Sequence, residues 1–128
     1  MVANNNYVDI TFTAGAYNTN GGSGALEAAD FSLTFASNGG PASAASISSI
    51  KKNNNASEGS AGSLTGGETV VRMFLNITGS AAGVETLLIK PANGSSIYNS
   101  SGTAMNAASG VGATLNDVTG PYFTGTTL

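Results

Sequence analysis

Residues 7–13 alternate strictly: Val8, Ile10 and Phe12 fall on one side, Tyr7, Asp9 and Thr11 on the other. That period of two is the signature of a half-buried strand. Phe31, Leu33 and Phe35 alternate with Ser32 and Thr34 in the same way. A third strand is predicted over 44–52, but its apolar pair Ile47 and Ile50 is spaced by three, which predicts a bulge or bend. The strongest strand covers 70–78, with Val71, Met73, Leu75 and Ile77 inward and Arg72, Phe74 and Asn76 outward. Residues 84–90 follow, with Leu87 and Ile89 inward, then shorter β-prone pieces at 97–98, 112–116 and 122–128. Between them lie turn clusters such as Asn38-Gly39-Gly40-Pro41 and Pro91-Ala92-Asn93-Gly94. Residues 23–29 predict one short helical turn after a Ser cap. Residues 53–67, polar with few apolar anchors, predict an exposed, mobile loop.

Seven to eight short strands with Gly/Asn turns and almost no helix predict an all-β fold, an antiparallel β-sandwich. The inward residues of the strands, from Val8 to Ile89, are its predicted core. No internal repeat supports a β-helix. At 128 residues the chain is one domain. Ala, Gly, Ser, Asn and Thr make up most of it, so its polarity comes from hydroxyls and amides rather than charge. That composition alone would suit a disordered chain, but the patterned branched aliphatics and aromatics argue for a core.

The absences narrow the chemistry. There is no His, Cys or Trp, so zinc-finger, thiol-nucleophile and His-based triad chemistry are excluded. Four basic residues against seven acidic ones make no phosphate-tracking surface, so no nucleic-acid partner is expected. No apolar run is long enough for a membrane-spanning helix, and no membrane insertion is expected. The start of the chain, Met1-Val2-Ala3 before three Asn, has no signal-peptide pattern. No two carboxylates are placed as an acid–base pair for glycoside cleavage, so no catalytic residue and no enzyme activity are expected.

Glu27 and Asp30 flank a short turn, and with Asp117 or backbone carbonyls they could hold Ca²⁺. The alternative is that Glu27 caps the turn and Asp30 a strand–loop junction. Calcium is thus the one cofactor kept open, against an expectation of none. Four Asn-X-Ser/Thr triplets occur, as chance predicts in such a composition, and Asn93-Gly94 reads better as a turn. Lys51-Lys52 reads as an edge-protecting pair. Gly21–Gly24 and Thr65–Glu68 are turns, since neither ends in the Gly-Lys-Ser/Thr of a phosphate loop. Leu88 and Phe74 break the outward polar pattern of their strands. Either the same chain covers them or they belong to a subunit interface.

In order and spacing, several stretches resemble the immunoglobulin-like tandem repeats of very large bacterial surface proteins and adhesins. They are Tyr7-Val8-Asp9-Ile10-Thr11-Phe12, residues 26–31 (LEAADF), Val84-Glu85-Thr86 with Ile89-Lys90-Pro91-Ala92, Ile97-Tyr98 with 102–105, and Leu115-Asn116-Asp117 with Pro121. The resemblance implies an Ig-like sandwich, an extracellular or cell-surface location, and a structural or adhesive role without enzyme activity. It also implies an acidic calcium-binding residue after the first Thr-Phe strand, where Thr13-Ala14-Gly15 has none.

In such tandem repeats the segment after Asn116-Asp117 and its Pro is the first strand of the next repeat. The chain therefore divides into an Ig-like sandwich over 1–120 and a C-terminal strand over 121–128. The linking residues 117–121 reach at most about 18 Å, while a seven-residue strand spans roughly 23 Å. The strand is thus expected to miss the first-strand slot of its own domain and to fill that of a neighbour. Its contact residues are expected to be Tyr122, Phe123, Gly125 and Leu128, with Phe123 the main anchor and Gly125 a site for a bulge. The expected partners are copies of the chain itself, joined head to tail in a filament. A single spacer repeat of a giant adhesin is the alternative. A carbohydrate-binding module is a third, disfavoured by the lack of Trp.

Overall fold

The computed structural model describes residues 1–121 and 125–128. Six strands are found among them: β1 (Tyr7–Ala16), β2 (Phe31–Ala36), β3 (Ala44–Lys51), β4 (Glu68–Thr78), β5 (Thr86–Pro91) and β6 (Val111–Thr114). They form two antiparallel sheets of three, ordered β1-β4-β3 and β2-β5-β6. The fold is an all-β sandwich, as the alternating pattern predicts.

The count is six rather than seven or eight. Ile97-Tyr98 forms no strand, because Tyr98 makes only single bridging pairs, with Tyr17 and with Ala104. The predicted last strand contains Tyr122 and Phe123, which lie outside the described residues. The only helical element among the described residues is a 3₁₀ turn, Ala28–Asp30. Its cap is Glu27 rather than the Ser23 expected, since the carboxylate of Asp30 accepts the Glu27 backbone N–H at 2.7 Å.

The core lies between the sheets. Val8, Ile10, Phe31, Val71, Met73, Leu75, Leu87 and Ile89 are buried, while Phe12, Leu33, Phe35 and Ile77 are half-buried against them. Leu26, Ile97 and Leu115, from outside the strands, complete the core. The spacing of Ile47 and Ile50 does produce a bulge: β3 slips by one residue against β4 between Ile47 and Ser49. That slip returns Ile50 to the buried face beside Met73.

The loop after β3 is held more firmly than its composition suggests. Glu58 accepts hydrogen bonds from the hydroxyls of Ser48 and Ser49, and Ala61 and Leu64 are buried. The Arg72 guanidinium donates to the Asn55 carbonyl at 2.9 Å, pairs with Asp9, and stacks over the Tyr7 ring.

β1 runs from one end of the sandwich to the other. At its start lie residues 1–6, the β2–β3 and β4–β5 connections, and the chain after β6; this is the Glu85 end. At its finish lie residues 17–30, 52–67 and 92–110; this is the Tyr98 end.

Candidate functional site

β1 and β6 are edge strands of different sheets. An edge strand leaves a row of backbone N–H and C=O groups without ladder partners. Among the described residues β1 pairs with β4 alone, and no backbone hydrogen bond reaches its other edge between residues 8 and 15. Beside that edge the two sheets part, and a seam opens into the core.

Two adjoining hollows make up the seam. The larger, about 300 Å³, is lined by Ile10–Thr13 of β1, by Phe31, Ile89 and Ile97 at its floor, and by Val111 on the β6 side. The smaller, about 200 Å³, continues along Phe12–Ala16 toward Tyr98 and Asn99. Phe12, Thr13, Ile97 and Met105 belong to both.

Two residues show that core surface is left uncovered here. Val111 sits opposite Ile89 in the β5–β6 ladder, so the two share a face, and Ile89 is buried. Val111 therefore faces the core side, yet it is 48% exposed. Phe12 alternates in phase with buried Val8 and Ile10 but is only half-buried. One lies on each flank of the seam.

Bridges limit the seam at both ends. At the Tyr98 end, the backbones of Tyr17 and Tyr98 exchange two hydrogen bonds, each 2.8 Å. At the Glu85 end, Asn5 and Asn116 exchange side chain and backbone: Asn5 Nδ2 donates to the Asn116 carbonyl, and the Asn116 N–H donates to Asn5 Oδ1 at 2.7 Å. Asn116 Nδ2 also donates to the Val2 carbonyl. Asn5 takes φ +62°, a left-handed conformation that Asn tolerates better than most residues.

The Glu85 end is organised by a carboxylate that its residue type alone would not reveal. Glu85 is fully buried and accepts backbone N–H groups from Ala42, Ala82 and Val84. It thereby joins the β2–β3 connection to the β4–β5 connection. Gly40 packs against the carboxyl so closely that any side chain there would displace it. Burial pushes the Glu85 pKa up, but the backbone donors, its own and those of Ala82, Ala42 and Val84, outweigh it and hold the acid below its ordinary value. Among the described residues no buried side-chain polar atom lacks a partner. The site is therefore structural: an anchor for two connections, with all its oxygens used.

The structure does not bring the calcium candidates together. Glu27 and Asp30 belong to the cap of the 3₁₀ turn. Asp117 instead accepts from the N–H and hydroxyl of Thr119, and these bonds hold its carboxyl below its ordinary pKa. Among the described residues no three acidic side chains gather as a ligand group. Glu27 and Asp30 lie at the Tyr98 end and Asp117 at the Glu85 end, so the three do not share a site.

The interface candidates divide. Phe74 is 3% exposed, packed edge-on against Tyr7 with ring centroids 5.6 Å apart, so its own chain covers it and it offers nothing to a neighbour. Leu88 is exposed, beside Thr34 and Gly112 in the outer face of its sheet. Gly125 and Leu128 are exposed; Tyr122 and Phe123 lie outside the described residues. The seam itself was legible only as a missing first strand. Its walls at Ile97, Met105 and Val111 come from segments too short to read.

No protein-family model, no curated protein and no solved structure matches this chain.

Proposed function

We propose that this protein is an extracellular structural subunit that joins copies of itself head to tail, the strand at 122–128 of one copy filling the seam beside β1 of the next. The observation that carries this reading is the seam, an unpaired β1 edge with core-facing Phe12 and Val111 uncovered on its two flanks. Strand order supports it. A constant-type Ig sandwich has seven strands in sheets of four and three. The orders β1-β4-β3 and β2-β5-β6 reproduce that arrangement with the first strand, the neighbour of β1, left out. Such a gap accepts an added strand, whose main-chain bonds supply affinity and whose side chains fill the hollows. Burying one aromatic side chain contributes roughly 2–3 kcal/mol, and each ladder hydrogen bond about 1 kcal/mol. A head-to-tail contact that does not close generates a filament.

The test is the size distribution of the purified chain across concentration. Oligomers that grow with concentration, and that vanish on removal of residues 122–128, support the reading. The truncated protein should then bind a peptide of sequence YFTGTTL. A chain that stays monomeric and a truncated form that ignores the peptide overturn it. The spacer-repeat reading is favoured by one feature: the chain leaves β6 at the Glu85 end, where a following repeat in one long polypeptide would begin. In that reading the seam takes a strand from the preceding repeat, and the isolated chain binds the peptide without assembling.

A further inference from the structure

Resting on the strand-donation reading, we infer that the docked strand runs antiparallel to β1, with its C-terminus toward Asn5, and that this direction obliges it to come from a second copy. β1 runs from the Glu85 end to the Tyr98 end. The chain leaves β6 at the Glu85 end and is tied there: the Val118 N–H donates to the Ala81 carbonyl at 2.9 Å, and Asn116 is locked to Asn5. From Val118 to Tyr122 four residue steps reach at most about 14 Å. The unpaired β1 edge, from Val8 to Ala16, is roughly 27 Å long. A strand of the same chain cannot reach the Tyr98 end to begin there. It could enter only at the Glu85 end and run alongside β1 as a parallel pair.

Parallel pairing gives the weaker, slanted ladder. Every strand pairing in both sheets is antiparallel. A copy stacked end to end removes the conflict, because its Glu85 end faces the Tyr98 end of the next. Its strand then enters beside Tyr98 and runs back along β1 toward Asn5. The β1 edge between the Asn5–Asn116 and Tyr17–Tyr98 bridges, roughly 27 Å, is long enough to pair with a seven-residue strand of roughly 23 Å. Set opposite Ala16 to Ile10 without a bulge, residues 122–128 place Thr127 beside Thr11, both on the face away from the core; this register turns Tyr122 and Leu128 inward in place of Phe123, the anchor expected from the sequence.

Because the chain contains no cysteine, paired substitutions report direction cleanly. In the full chain, Thr11→Cys with Thr127→Cys should oxidise to a ladder of disulfide-linked oligomers. Thr11→Cys with Thr124→Cys, neighbours only in the parallel arrangement, should stay unlinked. A cyclised monomer from the second pair overturns the direction while leaving docking at the seam intact. So does assembly in which the first pair forms no ladder. Absence of both assembly and peptide binding by the truncated protein overturns the docking reading itself, and the direction with it.

Discussion

The Glu85 end and the β1 seam sit on one sandwich and are finished to different degrees. At the Glu85 end every buried side-chain polar atom among the described residues is matched: a carboxylate takes three backbone donors, and two asparagines exchange side chain and backbone across the gap between the sheets. Along the seam, main-chain groups and apolar side chains are left without cover. Unmet backbone groups are tolerable only where water or a partner reaches them. The contrast sets an uncovered strip beside β1 against a closed end of the same sandwich.

The sharpest way to break the contrast is at its closed side. Glu85→Leu removes the acceptor of three backbone N–H groups. Each buried donor left unmet costs about 1–3 kcal/mol, so a loss above about 3 kcal/mol is expected in urea unfolding. The same carboxylate sets an acid limit. Its folded pKa is depressed, so its stabilisation is complete above the unfolded pKa near 4.3 and is lost as pH falls through the folded value. Glu58 and Glu68, held down by their own hydroxyl and backbone donors, act in the same direction. Melting temperature should therefore fall below about pH 4 and change little from 5 to 8. In Glu85→Gln the fall should be shallower.

The open side should respond differently. Val111→Asp places a charge where a docked strand would bury a side chain, at a position already 48% exposed. Peptide binding by the truncated protein should weaken by more than about tenfold, equivalent to about 1.4 kcal/mol. Folding stability should stay within about 0.5–1 kcal/mol of the parent. If unfolding and binding suffer together, Val111 belongs to the finished core and the seam is not a separate region.

How much of this was legible differs between the two regions. The strands were readable because one face of each is buried, which writes period two into Val8, Ile10, Phe12 and into Phe31, Leu33, Phe35. The bulge was readable because one extra residue shifts Ile50 out of phase with Ile47. Glu85 was not, because its environment is assembled from Ala42 and Ala82 in two connections far apart in sequence. Phe74 was ambiguous for the same reason: its cover comes from Tyr7 on another strand. Glu27 as the cap of the 3₁₀ turn was readable only as the alternative to a cation site at Glu27 and Asp30, because the same two carboxylates suit both.

The Asn5–Asn116 exchange is where the closed end meets the seam, so it tests whether the boundary is local. Asn5→Ala removes the amide and also places an Ala at φ +62°. The left-handed conformation costs an alanine about 1–2 kcal/mol, and the lost hydrogen bonds about 1 kcal/mol more. Asn5→Gly should restore the backbone part and leave only the hydrogen-bond loss. Equal destabilisation by both would mean that the conformation at Asn5 carries no cost, and that the amide exchange alone closes this end.

Leu88 supplies the smallest and most discriminating expectation. Its exposure, 39%, is close to that of Val111, 48%, yet the two positions differ in kind. Leu88 lies between buried Leu87 and Ile89 in β5, so it points away from the core, onto a face where single exposed apolar residues are ordinary. Val111 points toward the core beside a gap. Leu88→Thr should therefore change stability by no more than about 0.5 kcal/mol and leave peptide binding and assembly unaltered. A loss of assembly in Leu88→Thr with peptide binding intact would place a second contact on the outer face of β2-β5-β6, and subunits would then touch side by side as well as through the seam. An unchanged variant would confirm that direction relative to the core, and not the amount of exposed surface, separates an unfinished edge from an ordinary one.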